Sequence, residues 1–148
     1  FMNTMHCNID EIKKLIPHRY PFLLIDKVID IVKNKSATGI KNVTANEPYF
    51  LGHFPSKPIV PGVLQLESMA QTAAVLVAKS LNISDSSSLV LLTTIDNAKF
   101  RKPVIPGDVM SLAISVKKMR NKLWKFNGEV IVDSQRVSEC EFSAMMSI

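Results

Sequence analysis

The sequence has few of the residues on which several common protein chemistries depend. It has two cysteines, Cys7 and Cys140, which form no metal-like cluster, and its three histidines are scattered at positions 6, 18 and 53. The HExxH, CxxC, P-loop, GxGxxG and GxSxG patterns are all absent. The sequence therefore indicates no zinc site, no nucleotide site and no serine hydrolase, and it predicts two reduced thiols in a cytoplasmic protein.

Charge is nearly missing from one long stretch. Between Ile59 and Ile83 the only charged side chains are Glu67 and Lys79. A helix that is apolar nearly all round is normally buried, and we expect such a helix from about residue 61 to 81. The prolines, glycine, glutamines and glutamate that interrupt this stretch argue against a membrane span.

Disorder and multiple domains are not indicated. The 148 residues are 47% hydrophobic and 21% charged, which is ordinary for one globular domain. We predict an N-terminal extension over residues 1–8, where Phe1 before Met2 is read as an addition, and a single domain over 9–148. No secretory signal is visible. The net charge of +5 favours solubility or an acidic partner.

Around the buried helix the pattern is mostly that of strands. Asn8 and Glu11 resemble a capping box at the start of a short helix, which Pro17 ends. Apolar and β-branched runs, several alternating with polar residues, predict strands at 23–33, 36–44, 89–100, 110–117, 124–132 and 137–148. Long antiparallel strands with one buried helix predict an α+β domain.

The first candidate site residue is His53, which lies in a segment with four prolines between residues 45 and 62. Proline fixes φ, so this segment is expected to be a rigid, irregular loop. A lone histidine is more often structural than catalytic. A stiff loop that leads directly into the buried helix is, however, well suited to hold a reactive side chain.

The second candidate is Glu67, on the second turn of that helix. Apolar surroundings disfavour its anion, and the protonated form is what a general acid needs. The alternative is a structural carboxylate that binds a backbone N–H or an arginine. Gln71 is four residues further on, on the same face, and is placed to orient the carboxylate.

The helix start itself lacks a capping side chain, because Pro61 and Gly62 stand where Ser, Thr, Asp or Asn is preferred. Its free N–H groups meet either another part of the fold or a substrate carbonyl at Gly62. The histidine at position 18, in a polar loop, is read as a surface or hydrogen-bonding residue. The basic stretch 117–125 is read as a solvated hairpin or a surface for an acidic protein, not for nucleic acid.

Four stretches then occur in an order that resembles a known family. They are Leu15–Asp26 (LIPHRYPFLLID), Tyr49–Pro55 (YFLGHFP), Pro58–Leu64 (PIVPGVL) and Phe100–Val104 (FRKPV). Together they resemble the FabZ family of (3R)-hydroxyacyl-[acyl-carrier-protein] dehydratases of bacterial type II fatty acid synthesis. The resemblance covers the chain from about residue 9 onward.

The resemblance implies a hot-dog fold, in which an antiparallel sheet wraps a long helix, and a homodimer that assembles as three dimers into a hexamer. It implies that His53 is the general base and Glu67 the general acid, contributed to each site by two different subunits. The substrate carbonyl is bound by the Gly62 N–H, and no cofactor or metal is needed. The related FabA isomerases have aspartate at the Glu67 position, so glutamate implies dehydration alone.

The same resemblance suggests further site residues. Those suggested for the substrate tunnel or its entrance are Tyr20, Phe54 and Phe100, and those suggested for the acidic carrier protein are Arg101, Lys102, Lys118 and Arg120. Two alternatives share the fold: a thioesterase that releases free acid, and an acyl-binding sensor without catalysis. Preferred chain length, the choice between dimer and hexamer in solution, and the choice between fatty acid and lipid A supply stay open.

Overall fold

The computed structural model describes residues 4–87 and 89–147. Sequence predictions also fall on Phe1, Ser88 and Ile148, which lie outside the described residues. The helices are α1 (Ile9–Leu15) and α2 (Gly62–Ser80), and a 3-10 helix spans Pro48–Leu51. The strands are β1 (Met5–Cys7), β2 (Lys27–Val32), β3 (Ser36–Asn42), β4 (Leu89–Phe100), β5 (Val109–Arg120), β6 (Leu123–Val132) and β7 (Gln135–Ser147).

The seven strands form one antiparallel sheet in the order β1-β2-β3-β5-β6-β7-β4. The sheet curves around α2, which contacts six of the strands and α1 along its buried length from Gln65 to Ala78. The alternating residues of β6 and β7, such as Phe126 and Phe142, point inward and are fully buried. The predicted α+β architecture is confirmed. No helix in the described ranges is long and apolar enough to cross a membrane.

Two predicted strand boundaries were wrong, and a strand that was not predicted lies near the N-terminus. The extension predicted over residues 1–8 contains β1, which pairs with β2. Strand β2 starts only at Lys27, because the Leu24 N–H donates to the Gln71 side chain (2.8 Å) and not to a neighbouring strand. Strand β5 continues to Arg120, beyond the predicted end at 117, because the hairpin pairing with β6 extends to Leu123.

The helix and the sheet approach most closely at Gly39 of β3. A Cβ atom built on Gly39 would lie 2.0 Å from the Oγ1 atom of Thr72 on α2, and both residues are buried. Gly39→Ala is therefore expected to lower the free energy of unfolding by about 1–3 kcal/mol, the usual range for overpacking. Urea unfolding measures it. Gly39→Ala should cost less stability in a Thr72→Ala background than in the wild-type protein, because the contacting side chain is then shorter. An equal cost in both backgrounds would contradict this explanation.

Strand β4 forms one edge of the sheet and is exposed along nearly its whole length. Among the described residues, its only pairing partner is β7. Its apolar side chains Leu91, Ile95 and Phe100 are 51%, 45% and 50% exposed. An apolar edge strand of twelve residues is a ready template for pairing with another chain.

Candidate active site

A cavity of about 590 Å³ opens where the proline-rich loop meets the start of α2. Its lining is largely apolar with a few polar groups, which is typical of a small-molecule site. The lining residues are His53, Ile59, Val60, Pro61, Gly62, Val63, Gln65, Phe100, Arg101, Lys102 and Pro103.

His53 is held in one tautomer by the loop that carries it. Its Nδ1 atom lies 2.7 Å from the carbonyl oxygen of Ile59. A carbonyl only accepts hydrogen bonds, so Nδ1 carries the proton and Nε2 is the unprotonated nitrogen. The Ile59 N–H donates in return to the His53 carbonyl (3.0 Å), which closes the loop. The arrangement leaves Nε2 able to accept a proton.

The start of α2 is uncapped, as the sequence predicted. Pro61 is the cap residue and supplies no side-chain hydrogen bond. The N–H groups of Leu64 and Gln65 both donate to the Pro61 carbonyl (2.9 and 3.3 Å). Gly62 precedes these donors and lines the cavity. Its N–H therefore belongs to the positive end of a nineteen-residue helix, where an oxygen carrying negative charge is stabilised.

Gly62 also permits a close approach by Phe100. A Cβ built on Gly62 would lie 2.8 Å from the Phe100 ring. The ring comes from the last residue of β4 and forms one wall of the cavity. Glycine at this position therefore keeps the aromatic wall against the helix start.

Glu67 does not line this cavity. At about 100° per residue it is turned by about 140° from Gly62 around the helix. Its Oε1 atom accepts a hydrogen bond from Gln71 Nε2 (3.3 Å), which confirms the predicted pairing. The Nε2 atom of His18 lies 3.4 Å from the same oxygen. The carboxylate is only partly buried, with 21% of its side chain exposed.

Gln71 is anchored well enough to orient this carboxylate. Its Nε2 also donates to the Phe22 carbonyl, and its Oε1 accepts from the Leu24 N–H, both at 2.8 Å. The approach of His18 was not predicted from the sequence, since positions 18 and 67 are linked only by the fold. The Nδ1 atom of His18 is buried and has no hydrogen-bond partner within the described ranges.

The remaining predicted residues divide into three groups. Tyr20 and Phe54 line a neighbouring cleft of about 420 Å³, separate from the His53 cavity. Arg101 and Lys102 lie in the cavity lining, and Arg101 also pairs with Glu139. Lys118 and Arg120 lie on the hairpin of β5 and β6, level with residues 143 and 145 of β7, respectively, in the strand register.

That hairpin is far from the cavity within one chain. Phe100 is paired with Ser138 of β7, seven residues from the level of Arg120. At about 3.3 Å per residue the separation along the sheet is about 23 Å. The four predicted carrier-binding cations therefore belong to two different surfaces of the subunit.

The cysteines and acidic residues of the described part of the chain form no metal centre. Among residues 4–87 and 89–147, no group of three or more His, Cys, Asp or Glu side chains is placed to hold a metal ion. Cys7 and Cys140 are buried free thiols. Burial raises the pKa of Cys140 to about 11, so this thiol is protonated and unreactive at neutral pH.

The chain matches the FabA-like domain family over residues 16–141. It is 54% identical over 145 residues to the 3-hydroxyacyl-[acyl-carrier-protein] dehydratase FabZ of Cereibacter sphaeroides, with 98% of this chain and 94% of that protein covered. The protein of the same name from Rickettsia bellii is 55% identical over 142 residues, with 96% and 97% covered.

Solved structures support the same fold. The dehydratase heterocomplex ApeI:P from Xenorhabdus doucetiae gives a TM-score of 0.80 at 19% identity, over 93% of this chain and 91% of that one. The PaaI protein of E. coli gives 0.59 at 14% identity, over 77% and 78%. Likeness at such identity concerns the fold alone, which is the implied hot-dog fold. The identity along nearly the whole chain goes further: this protein belongs to the FabZ family.

Proposed function

We propose that the protein dehydrates (3R)-3-hydroxyacyl-[acyl-carrier protein] to trans-2-enoyl-[acyl-carrier protein] in fatty acid biosynthesis, as a hydro-lyase of the cytoplasm. The observation that carries the proposal is the juxtaposition in one apolar cavity of a histidine with a free Nε2 and an uncapped helix start. Elimination across C2 and C3 of a thioester needs both groups: a base that removes the C2 proton and a hydrogen-bond donor that binds the carbonyl oxygen.

The reaction proceeds by acid–base elimination. The Gly62 N–H binds the thioester carbonyl and stabilises the enolate-like charge that develops on its oxygen. His53 Nε2 removes a proton from C2, and the released electron pair forms the C2–C3 double bond. The C3–O bond breaks, and Glu67 gives its proton to the leaving hydroxyl, which departs as water. Each positioned acid or base contributes typically about 10²–10⁴-fold.

The acid comes from a second subunit. Glu67 is turned away from the cavity that contains His53, so a single chain does not bring the two together at that cavity. The free edge of β4 supports a symmetric antiparallel pairing of two copies, which would bury its apolar side chains. Such a dimer has two sites, and each takes His53 from one chain and Glu67 from the other.

Three such dimers form a hexamer in this proposal. A second exposed apolar surface, on the loops beside the cavity, supports it: Tyr20 and Leu51 are 81% and 84% exposed, and Phe54 is half-exposed. Contiguous exposed apolar surface commonly marks a protein contact. Light scattering during gel filtration should give the mass of six 16.5-kDa chains. The mass of only two chains would contradict the proposed hexamer.

The carrier protein docks on the cationic rim of the cavity. Lys102 is exposed there, whereas the charge of neighbouring Arg101 is partly neutralised by Glu139, whose pKa the Arg101 hydrogen bond lowers. Charges at the rim of an interface act mainly on encounter rates and on salt dependence. Lys102 is therefore the residue that tests this docking surface.

Lys102→Glu is expected to raise KM for carrier-bound substrate by about tenfold at low salt, because the reversal repels an acidic partner. KM for the same acyl group on pantetheine should not change. Lys118→Glu is the matched control at the far end of the sheet, and we expect the smaller effect there. A larger effect from Lys118→Glu would place docking on the hairpin instead.

The activity itself is tested by offering (3R)-3-hydroxyacyl-carrier protein and following enoyl formation and free thiol release together. Enoyl product without thiol release is expected. Thiol release without enoyl product would identify a thioesterase, and binding without either product would identify an acyl sensor.

A further inference from the structure

One buried polar side chain in the cavity has no part in the proposed mechanism. Gln65 is only 3% exposed, yet it lines the cavity beside Gly62 and Phe100. The other polar side chains of the lining are His53 and the exposed cations Arg101 and Lys102. A buried amide is costly unless its donors and acceptor are satisfied, so its place in an apolar wall requires a reason.

The sheet fixes one end of this amide. The hydroxyl of Ser138, a fully buried residue of β7, donates to Gln65 Oε1 at 2.6 Å. The Nε2 end donates to no acceptor within residues 4–87 and 89–147. Because Oε1 is taken up by Ser138, the group left for an occupant of the cavity is a pair of N–H donors.

The helix places these donors near the Gly62 N–H. Gln65 is three residues, or about 4.5 Å along the axis, beyond Gly62. Side chains of a helix lean toward its N-terminus, so the amide of Gln65 covers the turn that begins at Gly62. The cavity wall therefore presents two neighbouring donors, one from the backbone and one from a side chain.

We propose that Gln65 is a specificity-determining residue that donates a hydrogen bond to the C3 hydroxyl oxygen of the substrate. The proposal rests on the proposed function, in which the Gly62 N–H binds the thioester carbonyl. A 3-hydroxyacyl thioester carries its two oxygens on C1 and C3, a few ångströms apart, which matches two neighbouring donors. The donor fixes the side of the chain on which the C3 oxygen lies and so distinguishes the 3R from the 3S epimer.

Binding measurements on a variant without turnover test this proposal. In Glu67→Gln, the Kd of (3R)-3-hydroxyhexanoyl-pantetheine is compared with that of hexanoyl-pantetheine by calorimetry. We expect the hydroxyl to tighten binding by about tenfold, the scale of one hydrogen bond between neutral groups. In Glu67→Gln/Gln65→Met, which keeps length and volume, this gain should vanish. The 3S epimer should show no gain in either protein.

Two further variants keep the result interpretable. Gln65→Leu/Ser138→Ala removes the amide together with the hydroxyl that binds it, so it should lose the same gain if Gln65→Met does not fold. Ser68→Ala is the matched control: Ser68 is also buried on α2, but its hydroxyl donates to the Leu64 carbonyl and does not line the cavity. The gain should survive in Ser68→Ala.

The outcomes separate this inference from the proposed function. If the wild-type protein dehydrates the substrate but Gln65→Met and Gln65→Leu/Ser138→Ala both keep the tenfold gain, Gln65 does not bind the C3 oxygen. If both variants weaken the hydroxylated and the plain acyl ligand equally, Gln65 only shapes the cavity. If the wild-type protein neither binds nor dehydrates any 3-hydroxyacyl thioester, the proposed function itself is wrong.

Discussion

His53→Ala and Glu67→Gln are each expected to lower kcat by about 10²–10⁴-fold, yet an equimolar mixture of the two is expected to regain about a quarter of the wild-type activity. In the proposed dimer, each substitution removes one acid–base group from both sites. After random exchange, half of the dimers contain one chain of each kind. In those dimers one site carries both substitutions and the other carries neither, so about a quarter of all sites are intact.

This recovery depends on where the two side chains come from. If His53 and Glu67 of one chain served the same site, every site in the mixture would lack one group and activity would stay at the level of the parents. Steady-state enoyl formation before and after exchange measures the difference. Differently tagged subunits show that exchange has occurred, and an equally treated mixture of tagged and untagged His53→Ala should remain inactive.

Ile95→Lys is expected to convert the assembly to monomers at micromolar concentration and to reduce activity by about 10²-fold or more. Ile95 lies at the middle of β4 and is 45% exposed. In a symmetric antiparallel pairing the middle of the strand meets its own copy, so two lysines would stand opposite each other. Natural proteins also place lysine on edge strands, where its charge prevents pairing with another chain.

The activity of Ile95→Lys should rise with protein concentration, because in the proposed arrangement only a dimer has complete sites. Gel filtration and activity at several dilutions measure both effects. Leu123→Lys is the matched control, since Leu123 is 41% exposed but lies on β6, which is paired on both edges. An Ile95→Lys protein that stays dimeric and active would show that β4 is not the contact between subunits.

The polar partners of the site show how far sequence reasoning extends. Spacing along a helix suffices to pair Glu67 with Gln71, because residues four apart share a face. The Ile59 carbonyl that fixes the tautomer of His53 was not predicted, because backbone atoms carry no signal in a sequence. The bond between Ser138 and Gln65 joins residues 73 positions apart, and only the packing of α2 against β7 brings them together.

What the sequence alone determined is local and periodic. Alternation placed β6 and β7, the charge-poor run placed α2, and the missing cap marked Gly62, because each depends on residues close together in the sequence. The tertiary structure decided which faces meet. It turned Glu67 away from the cavity of His53 and placed β4 at the edge of the sheet, since helix rotation and strand order depend on contacts between distant segments.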